Sequence, residues 1–209
     1  MSDGYSLRFT EEMKGWFSFQ AASYSSGAEA GRAAGSSLMF HLTIETEDVD
    51  RFVADRDHVA RAWGWVQSDV LGGRLPVERG VFNLFTDAGP GSKRMLYRLY
   101  FEDGVGHPLT LTGYKDVHGG SPADVWPETS TLYVSLLRGH VDASAEAQAA
   151  NVGAGILWIR PLDFARQLTT FRVHGPSLTG SASRLAGFVR LFAGQLWSVF
   201  FLPARRLRA

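Results

Sequence analysis

Apolar and polar residues alternate along much of the chain, and this period of two is typical of half-buried β-strands. In "LMFHLTIE" the apolar face is formed by Leu38, Phe40, Leu42 and Ile44. The segments "RMLYRLYFED" and "PLTLTGYKDV" alternate in the same way. The sequences "DAGPGSK" and "EDGVGHP" precede these two segments and carry the Gly, Pro and Asp residues of tight turns. The pattern therefore predicts two β-hairpins in the middle of the chain.

Further strands are predicted on both sides of these hairpins. They lie near 7–19, 59–70, 75–85, 132–141 and 156–159, with a short continuation at 170–173. In "TEDVDRFVADRD" the alternation breaks, and Val49, Phe52 and Val53 fall at helical spacing, with Asp48 placed to cap a short helix. The small-residue segments "SYSSGAEAGRAAGSS" and "DASAEAQAANVGAG" each predict a loop or a helical turn.

The resulting fold class is all-β, with about eight mostly antiparallel strands in one domain over 1–180. Short antiparallel strands must cover their edges, and closure into a barrel is the common way to do so. Barrels of this size enclose a core of side chains or one small ligand. A two-sheet sandwich predicts the same alternating faces, so it stays open as the alternative.

An internal duplication is also predicted. The sequence "MKGWF" precedes the first small-residue segment, and the strand "LMFHLTIE" and then "DVDRF" follow it. In the second half "LRGHV", a small-residue segment, "ILWIR" and "LDFAR" occur in the same order. Such recurrence indicates a two-copy ancestry.

The end of the chain has a helical pattern at 181–203, followed by a basic tail at 204–209. At 100° per residue, Leu185, Phe188 and Phe192 share an apolar face, opposite Arg184 and Arg190, so the helix is amphipathic. Two arrangements fit this helix. Its apolar face packs on the barrel, or it lies on a membrane surface while the basic tail contacts anionic lipid through Arg205, Arg206 and Arg208.

Composition narrows the function classes. The chain has 14 Phe, 6 Trp and 6 Tyr among 209 residues, which suits strand faces or an apolar cavity, and it has no Cys. The net charge of zero combines −7 through residue 163 with +7 after it, and this asymmetry suggests an anionic partner for the tail. Nucleic acid is not expected as a partner, because no basic stripe interleaved with aromatic residues occurs in the body of the chain.

The first residues contain no apolar signal segment, so a cytoplasmic location is expected, with peripheral membrane contact if the helix lies on lipid.

Catalytic motifs are absent from the sequence. It contains no dinucleotide, phosphate-loop, zinc-protease or hydrolase signature, and its six His residues show no metal-ligand spacing, so no cofactor and no metal are expected. The densest polar cluster is in "TGYKDVHGGSPADVW", where Tyr114, Asp116 and His118 are candidate proton donors and acceptors. Lys115 and Trp126 are candidates for the mouth of a binding site. The simpler interpretation is a Lys–Asp pair at a strand end beside a solvated His.

Several phrases of the chain resemble one known family. They are "FTEEMKG", "LTIETEDVDRF", "GGRLPVERGVFNLF", "LTGYKDV", "WPETSTLYVSLLRGHV", "ILWIRPLDFARQLTTFRV" and "RLFAGQLW". In this order, from 7 to 197, they resemble an accessory domain appended to large bacterial cholesterol-oxidase-like flavoproteins of the glucose–methanol–choline oxidoreductase group. The resemblance implies a sterol or other bulky lipid as ligand and a flavoprotein oxidoreductase as partner in trans. It assigns no catalytic residue, because flavin chemistry belongs to a domain that this chain lacks.

The leading hypothesis is a non-catalytic binding module for a hydrophobic small molecule, such as a sterol or lipid, auxiliary to an oxidoreductase. One alternative is a cofactor-free isomerase or cyclase acting in a barrel cavity, with Tyr114, Asp116 and His118 as its titratable groups. The other is a protein-interaction domain with an aromatic docking surface.

Overall fold

A computed structural model describes residues 4–118, 125–160, 163, 166–167 and 169–200, without the side chains of 125–126 and 195–200. Its strands are β1 (Ser6–Phe19), β2 (Ser37–Thr46), β3 (Val59–Ser68), β4 (Gly73–Gly89), β5 (Ser92–Glu102), β6 (Pro108–His118), β7 (Thr131–Arg138), β8 (Asn151–Trp158) and β9 (Arg172–His174). Its α-helices are α1 (Tyr24–Ala34), α2 (Val49–Ala54), α3 (Val125–Ser130) and α4 (Leu178–Phe200). Short 3₁₀ helices occupy Asp69–Leu71 and Ala143–Gln148.

The strands form a closed antiparallel barrel, as the sequence predicts. The hydrogen-bonded order runs from β2 through β8 to β1, and β1 also pairs with β2, which closes the circle of eight strands. The short β9 pairs with the first residues of β1, Ser6–Arg8, outside the circle. Closure removes the free sheet edges that a sandwich would leave. The proposed duplication stays a prediction, although strand, helical segment and strand recur from β7 through Ala143–Gln148 to β8.

The closing seam between β8 and β1 depends on glycine. Gly155 lies opposite Phe17 and Gly15 lies opposite Leu157. A Cβ on Gly155 would lie 2.2 Å from the carbonyl oxygen of Trp16, and one on Gly15 would lie 2.0 Å from that of Ile156. The segment "NVGAG", predicted as a loop or helical turn, is therefore the start of β8, because its small residues allow the two backbones to approach closely.

Local signals at the helices agree with the sequence in most places. Asp48 caps α2 by accepting a hydrogen bond from the backbone N–H of Arg51. The first small-residue segment is the helix α1, which begins with a capping box between Ser23 and Ser26. Along α1, Gly27 and Gly31 lie directly on the backbone of Ala154 and Phe17, so this helix lies across the outside of the seam.

Helix α4 covers one end of the barrel, which we call the capped end. Its Phe188 is buried and contacts the rings of Phe52 and Phe171, with centroids 6.3 and 5.6 Å apart. Arg184 pairs with Asp50 of α2 at 2.8 Å. The amphipathic face that the sequence predicts therefore packs on the barrel over the described turns of the helix.

Candidate functional site

A groove lies at the barrel end opposite the capped end. Five chain segments build it, at 19–20, 70–72, 103–109, 138 and 151–152, and we call it the mouth groove. Its volume is about 650 Å³. Ligand sites in proteins commonly measure about 300–1,000 Å³, so the groove has the size of a small-molecule site.

Apolar side chains dominate the walls of the mouth groove. Phe19, Val70 and Val105 are 46%, 52% and 78% exposed, which places them among the large hydrophobic side chains that the fold leaves in solvent. Leu71 and Leu109 are buried below them and join the groove to the core. Each exposed residue alone is ordinary, but three that line one concave surface make the mouth groove the candidate binding site.

The floor of the groove depends on the contact of two turns. Gly72 has a φ of 108°, and a Cβ there would lie 2.5 Å from the Cα of Gly104. The N–H of Gly104 donates to the carbonyl oxygen of Leu71 at 2.8 Å. The link between β3 and β4 and the turn between β5 and β6 are therefore held together as one surface.

Asp103 organises the turn between β5 and β6. Its carboxylate accepts the backbone N–H groups of His107 at 2.9 Å and Val105 at 3.0 Å, and it lies 3.1 Å from Nδ1 of His107. These hydrogen bonds, above all that from the N–H of His107, lower the pKa of Asp103. The negative charge of Asp103 is thus satisfied inside its own turn.

The barrel interior is filled by its own side chains. Phe17, Phe40, Leu99, Leu111 and Leu132 are among the largest of the fully buried residues. A small void bordered by Phe17, Leu38, Leu111 and Leu136 has no space for a water-sized molecule. A ligand of the size that the sequence hypothesis requires therefore fits the mouth groove and not this void.

Three polar side chains meet inside the barrel. Lys115 of β6 and Glu11 of β1 form an ion pair with 2.6 Å between Nζ and Oε1, and both side chains are 2% exposed. The hydroxyl of Tyr97 on β5 donates to the other carboxylate oxygen of Glu11 at 2.8 Å. Nζ of Lys115 also lies 5.3 Å from the centre of the Tyr97 ring. We call these residues the buried triad.

Electrostatics of the triad keep the phenol of Tyr97 neutral. Burial raises its pKa well above the ordinary value, and the neighbouring charge of Glu11 raises it further. A buried charge is costly unless it is paired and hydrogen-bonded, and here both charges have partners. The triad links β1 to the far side of the barrel.

The three predicted catalytic residues lie on the outer face of β6. The ring of Tyr114 packs between Tyr24 and Tyr133, and burial raises its pKa to about 12. Asp116 pairs with Arg94, and His118 is exposed with its Nδ1 3.9 Å from Glu128. Because alternate residues of a strand face opposite sides, these three residues do not enter the barrel interior. Their positions give no support to an isomerase or cyclase in a cavity.

The other predicted residues are placed as follows. Lys115 is neither a mouth residue nor the partner of Asp116, because its odd position on β6 directs it into the barrel towards Glu11. Trp126 belongs to α3, which precedes β7 at the capped end, and its side chain lies outside the described part. Arg205, Arg206 and Arg208 lie outside the described residues.

The sequence did carry a signal for the triad. Glu11 continues the buried series of Leu7 and Phe9, and Lys115 continues that of Leu109 and Leu111. Strict alternation therefore assigns two charged residues to the interior, where they need a partner. The mouth groove has no comparable signal, because its residues come from five separated segments.

The described residues contain neither a metal-binding cluster nor a membrane-spanning helix. Within 4–118 and the other described ranges, no group of three or more His, Asp or Glu side chains is arranged to hold a metal ion. Among the same residues, no helix combines the length and the apolar character needed to cross a bilayer.

The chain matches no protein-family model, no curated protein and no solved structure. The resemblance to the accessory domain of flavoproteins therefore stays a prediction.

Proposed function

We propose that the protein is a non-catalytic binding module that holds a hydrophobic small molecule in the mouth groove. The observation that carries the proposal is the concentration of exposed Phe19, Val70 and Val105 in one concavity of about 650 Å³. Covering such side chains with an apolar ligand releases about 25 cal/mol per Å² of buried apolar area. The groove is built by turns that Gly72 and Gly104 hold together, so it is formed before the ligand arrives.

A sterol or another bulky lipid is the ligand class that the sequence resemblance favours. The same resemblance favours a flavoprotein oxidoreductase that receives the ligand in trans. A half-open groove suits such transfer, because a molecule held at the surface leaves without unfolding of the barrel. The filled interior supports this location over an enclosed cavity.

Nile red, a neutral apolar dye, tests the groove directly. We expect its fluorescence to rise on binding the native protein and to fall sharply in the variant Val105→Asp, since a carboxylate there opposes burial of an apolar ligand. Val189→Asp is the matched control, because Val189 is 55% exposed on α4 at the other end of the barrel. Equal dye binding by the two variants would reject the mouth groove as the site.

Extraction of natively purified protein with organic solvent, followed by mass spectrometry, identifies a natural ligand. We expect an apolar compound in the wild-type and Val189→Asp samples and its loss from Val105→Asp. Stripping the protein should leave its thermal unfolding cooperative, because its core consists of its own side chains. Collapse of the fold after stripping would mean that the ligand lies inside the barrel.

A second candidate function, protein interaction, is favoured by the outer face of β3. Trp65 is stacked against His41 with centroids 5.6 Å apart, and the guanidinium of Arg74 lies 4.2 Å from the Trp65 ring. Arg8 and Arg61 lie 5.5 and 5.8 Å from the ring of Trp63. Tryptophan and arginine are enriched among residues that dominate protein interfaces. A partner protein that binds wild type and Val105→Asp equally, but not Trp65→Ala, would favour this candidate.

A further inference from the structure

The mouth groove contains one charged side chain that the fold does not neutralise. Asp103, His107 and Arg138 are its charged or titratable lining residues. The side chains of Asp103 and His107 are hydrogen-bonded to each other within their turn. Among the described residues, the guanidinium of Arg138 has no hydrogen bond, ion pair or ring contact.

The position of Arg138 is set by the barrel. It is the last residue of β7 and lies opposite Leu109 of β6, whose side chain is buried at the base of the groove. The backbone N–H of Arg138 donates to the carbonyl oxygen of Ala150 at 2.9 Å, which fixes the end of the strand. The exposed side chain of Arg138 therefore starts at the border of the apolar surface formed by Phe19, Val105 and Leu109.

An apolar surface bordered by one free guanidinium is complementary to an amphipathic anion. The planar guanidinium binds a carboxylate through two parallel N–H···O bonds, and charged hydrogen bonds of this kind are about twice as strong as neutral ones. The partial removal of water by the ligand's own apolar body strengthens the attraction. A neutral sterol would leave Arg138 unused.

We infer that the ligand of the mouth groove is an amphiphile with a carboxylate head, which Arg138 binds while Phe19, Val70 and Val105 cover its apolar body. This inference rests on the proposed function and specifies its ligand class. Arg138 then determines specificity between charged and neutral molecules of equal apolar size.

Competition against bound Nile red tests two claims separately: that the mouth groove binds an apolar molecule, and that Arg138 binds a carboxylate head. Dodecanoate and dodecanol carry the same apolar chain and differ in the head group, so each is titrated below its aggregation concentration. We expect wild type to bind dodecanoate more tightly than dodecanol. Arg138→Gln should lower the affinity for dodecanoate by about tenfold, which corresponds to the loss of one charged contact. Binding of dodecanol should change little.

Two variants control for net charge and for simple charge replacement. Arg190→Gln removes the same charge from the exposed face of α4 and should leave both affinities unchanged. Arg138→Lys should restore part of the preference for dodecanoate, because it keeps the charge and loses the bidentate geometry. Added salt should lower the affinity for dodecanoate more than the affinity for dodecanol, because it screens the charged contact.

The outcomes are distinguishable. If Nile red does not bind, or if Val105→Asp leaves its affinity unchanged, the proposed function itself fails. If Nile red binds but dodecanoate and dodecanol compete equally in wild type and in Arg138→Gln, only the inference of an anionic head fails. If neither probe competes and a protein partner occupies the groove, both statements fail.

Discussion

At the residue scale, the buried triad is the most consequential feature of the barrel interior. Breaking a buried ion pair by removing one partner typically costs about 3–5 kcal/mol, because an uncompensated charge remains. An exposed pair contributes about 0–1 kcal/mol. The chain contains both kinds side by side, since Arg94 and Asp116 pair on the outer face next to Lys115.

We expect Lys115→Met to lower the free energy of unfolding by about 3 kcal/mol, because Glu11 then keeps a buried carboxylate without its cation. Glu11→Gln should have a similar effect through the unpaired ammonium. The double variant should lose less than the sum of the two single variants, since it removes both charges. Equilibrium unfolding in urea at neutral pH measures all three free energies.

Arg94→Gln is the matched control for this cycle. Its pair with Asp116 is partly exposed, so we expect a loss of about 0.5 kcal/mol. A loss as large as that of Lys115→Met would show that burial does not distinguish the two ion pairs. Strict additivity of the two interior variants would show that Glu11 and Lys115 are not coupled.

Tyr97 gives the triad a defined pH dependence. Its pKa is raised in the folded state, so the unfolded phenol ionises first, near its ordinary pKa of about 10. The stability that Tyr97 contributes is therefore fully present below that pH and is lost as the pH rises through the folded-state pKa. We expect Tyr97→Phe to cost about 2 kcal/mol at neutral pH through the lost hydrogen bond to Glu11.

The measurement is the free energy of unfolding of wild type and Tyr97→Phe between pH 7 and pH 11. The gap between the two curves should narrow above pH 10. Tyr133→Phe, on the outer face, controls for the loss of a hydroxyl. A gap that stays constant or widens with pH would contradict the assigned environment of Tyr97.

At the element scale, α4 acts as the cap of the barrel. Its turn around Phe188 packs on α2 and on Phe171, and Phe192 reaches Phe85 of β4 with 5.2 Å between ring centroids. Arg184 adds contacts to Asp50 and to the ring of Tyr5, 3.9 Å away. These contacts explain why the end of the chain carries an apolar helix face even where no membrane is involved.

We expect Phe188→Ala to lower the free energy of unfolding by about 3 kcal/mol, because it leaves a cavity among aromatic rings. Val189→Ala, on the next position of the same helix, should change it by less than about 0.5 kcal/mol, since Val189 is exposed. Urea unfolding measures both values. Equal and small effects would mean that α4 is detached from the barrel in solution.

At the scale of the whole molecule, closure depends on the seam between β8 and β1. The glycines at 15 and 155 let the two strands approach where any side chain would meet backbone. Backbone atoms of a closed barrel cannot move aside without shifting the neighbouring strands. The seam also joins the first and the last strand of the circle, since β1 pairs with a strand about 140 residues later.

We expect Gly155→Ala to cost about 2 kcal/mol through overpacking at the seam. Gly187→Ala is the matched control, because a Cβ at this position of α4 meets no atom within 4 Å. It should raise the stability by about 0.7 kcal/mol through helix propensity. Thermal and urea unfolding of both variants test the comparison, and a neutral Gly155→Ala would show that the seam is open enough to accept a side chain.

The sequence by itself determined the inward faces of most strands, the approximate position of those strands and how α2 begins. These properties are local, since alternation sets the face of Phe40 or Leu111 and a capping side chain acts within one turn. The same alternation places Glu11 and Lys115 on inward faces, although Lys115 was predicted at the mouth of a binding site and lies in the interior instead. Alternation was not sufficient to pair them, because periodicity within one strand does not say which strand lies across the barrel.

Only the tertiary structure decided the partners and the site. The hydrogen bonds of Glu11 to Tyr97 and Lys115 join residues 86 and 104 positions apart, and they exist because the circle of strands closes. The mouth groove likewise combines turns that are distant in sequence, and it places Arg138, which has no side-chain partner among the described residues, beside them. Local pattern therefore set the faces of the strands, whereas closure of the barrel set which side chains meet.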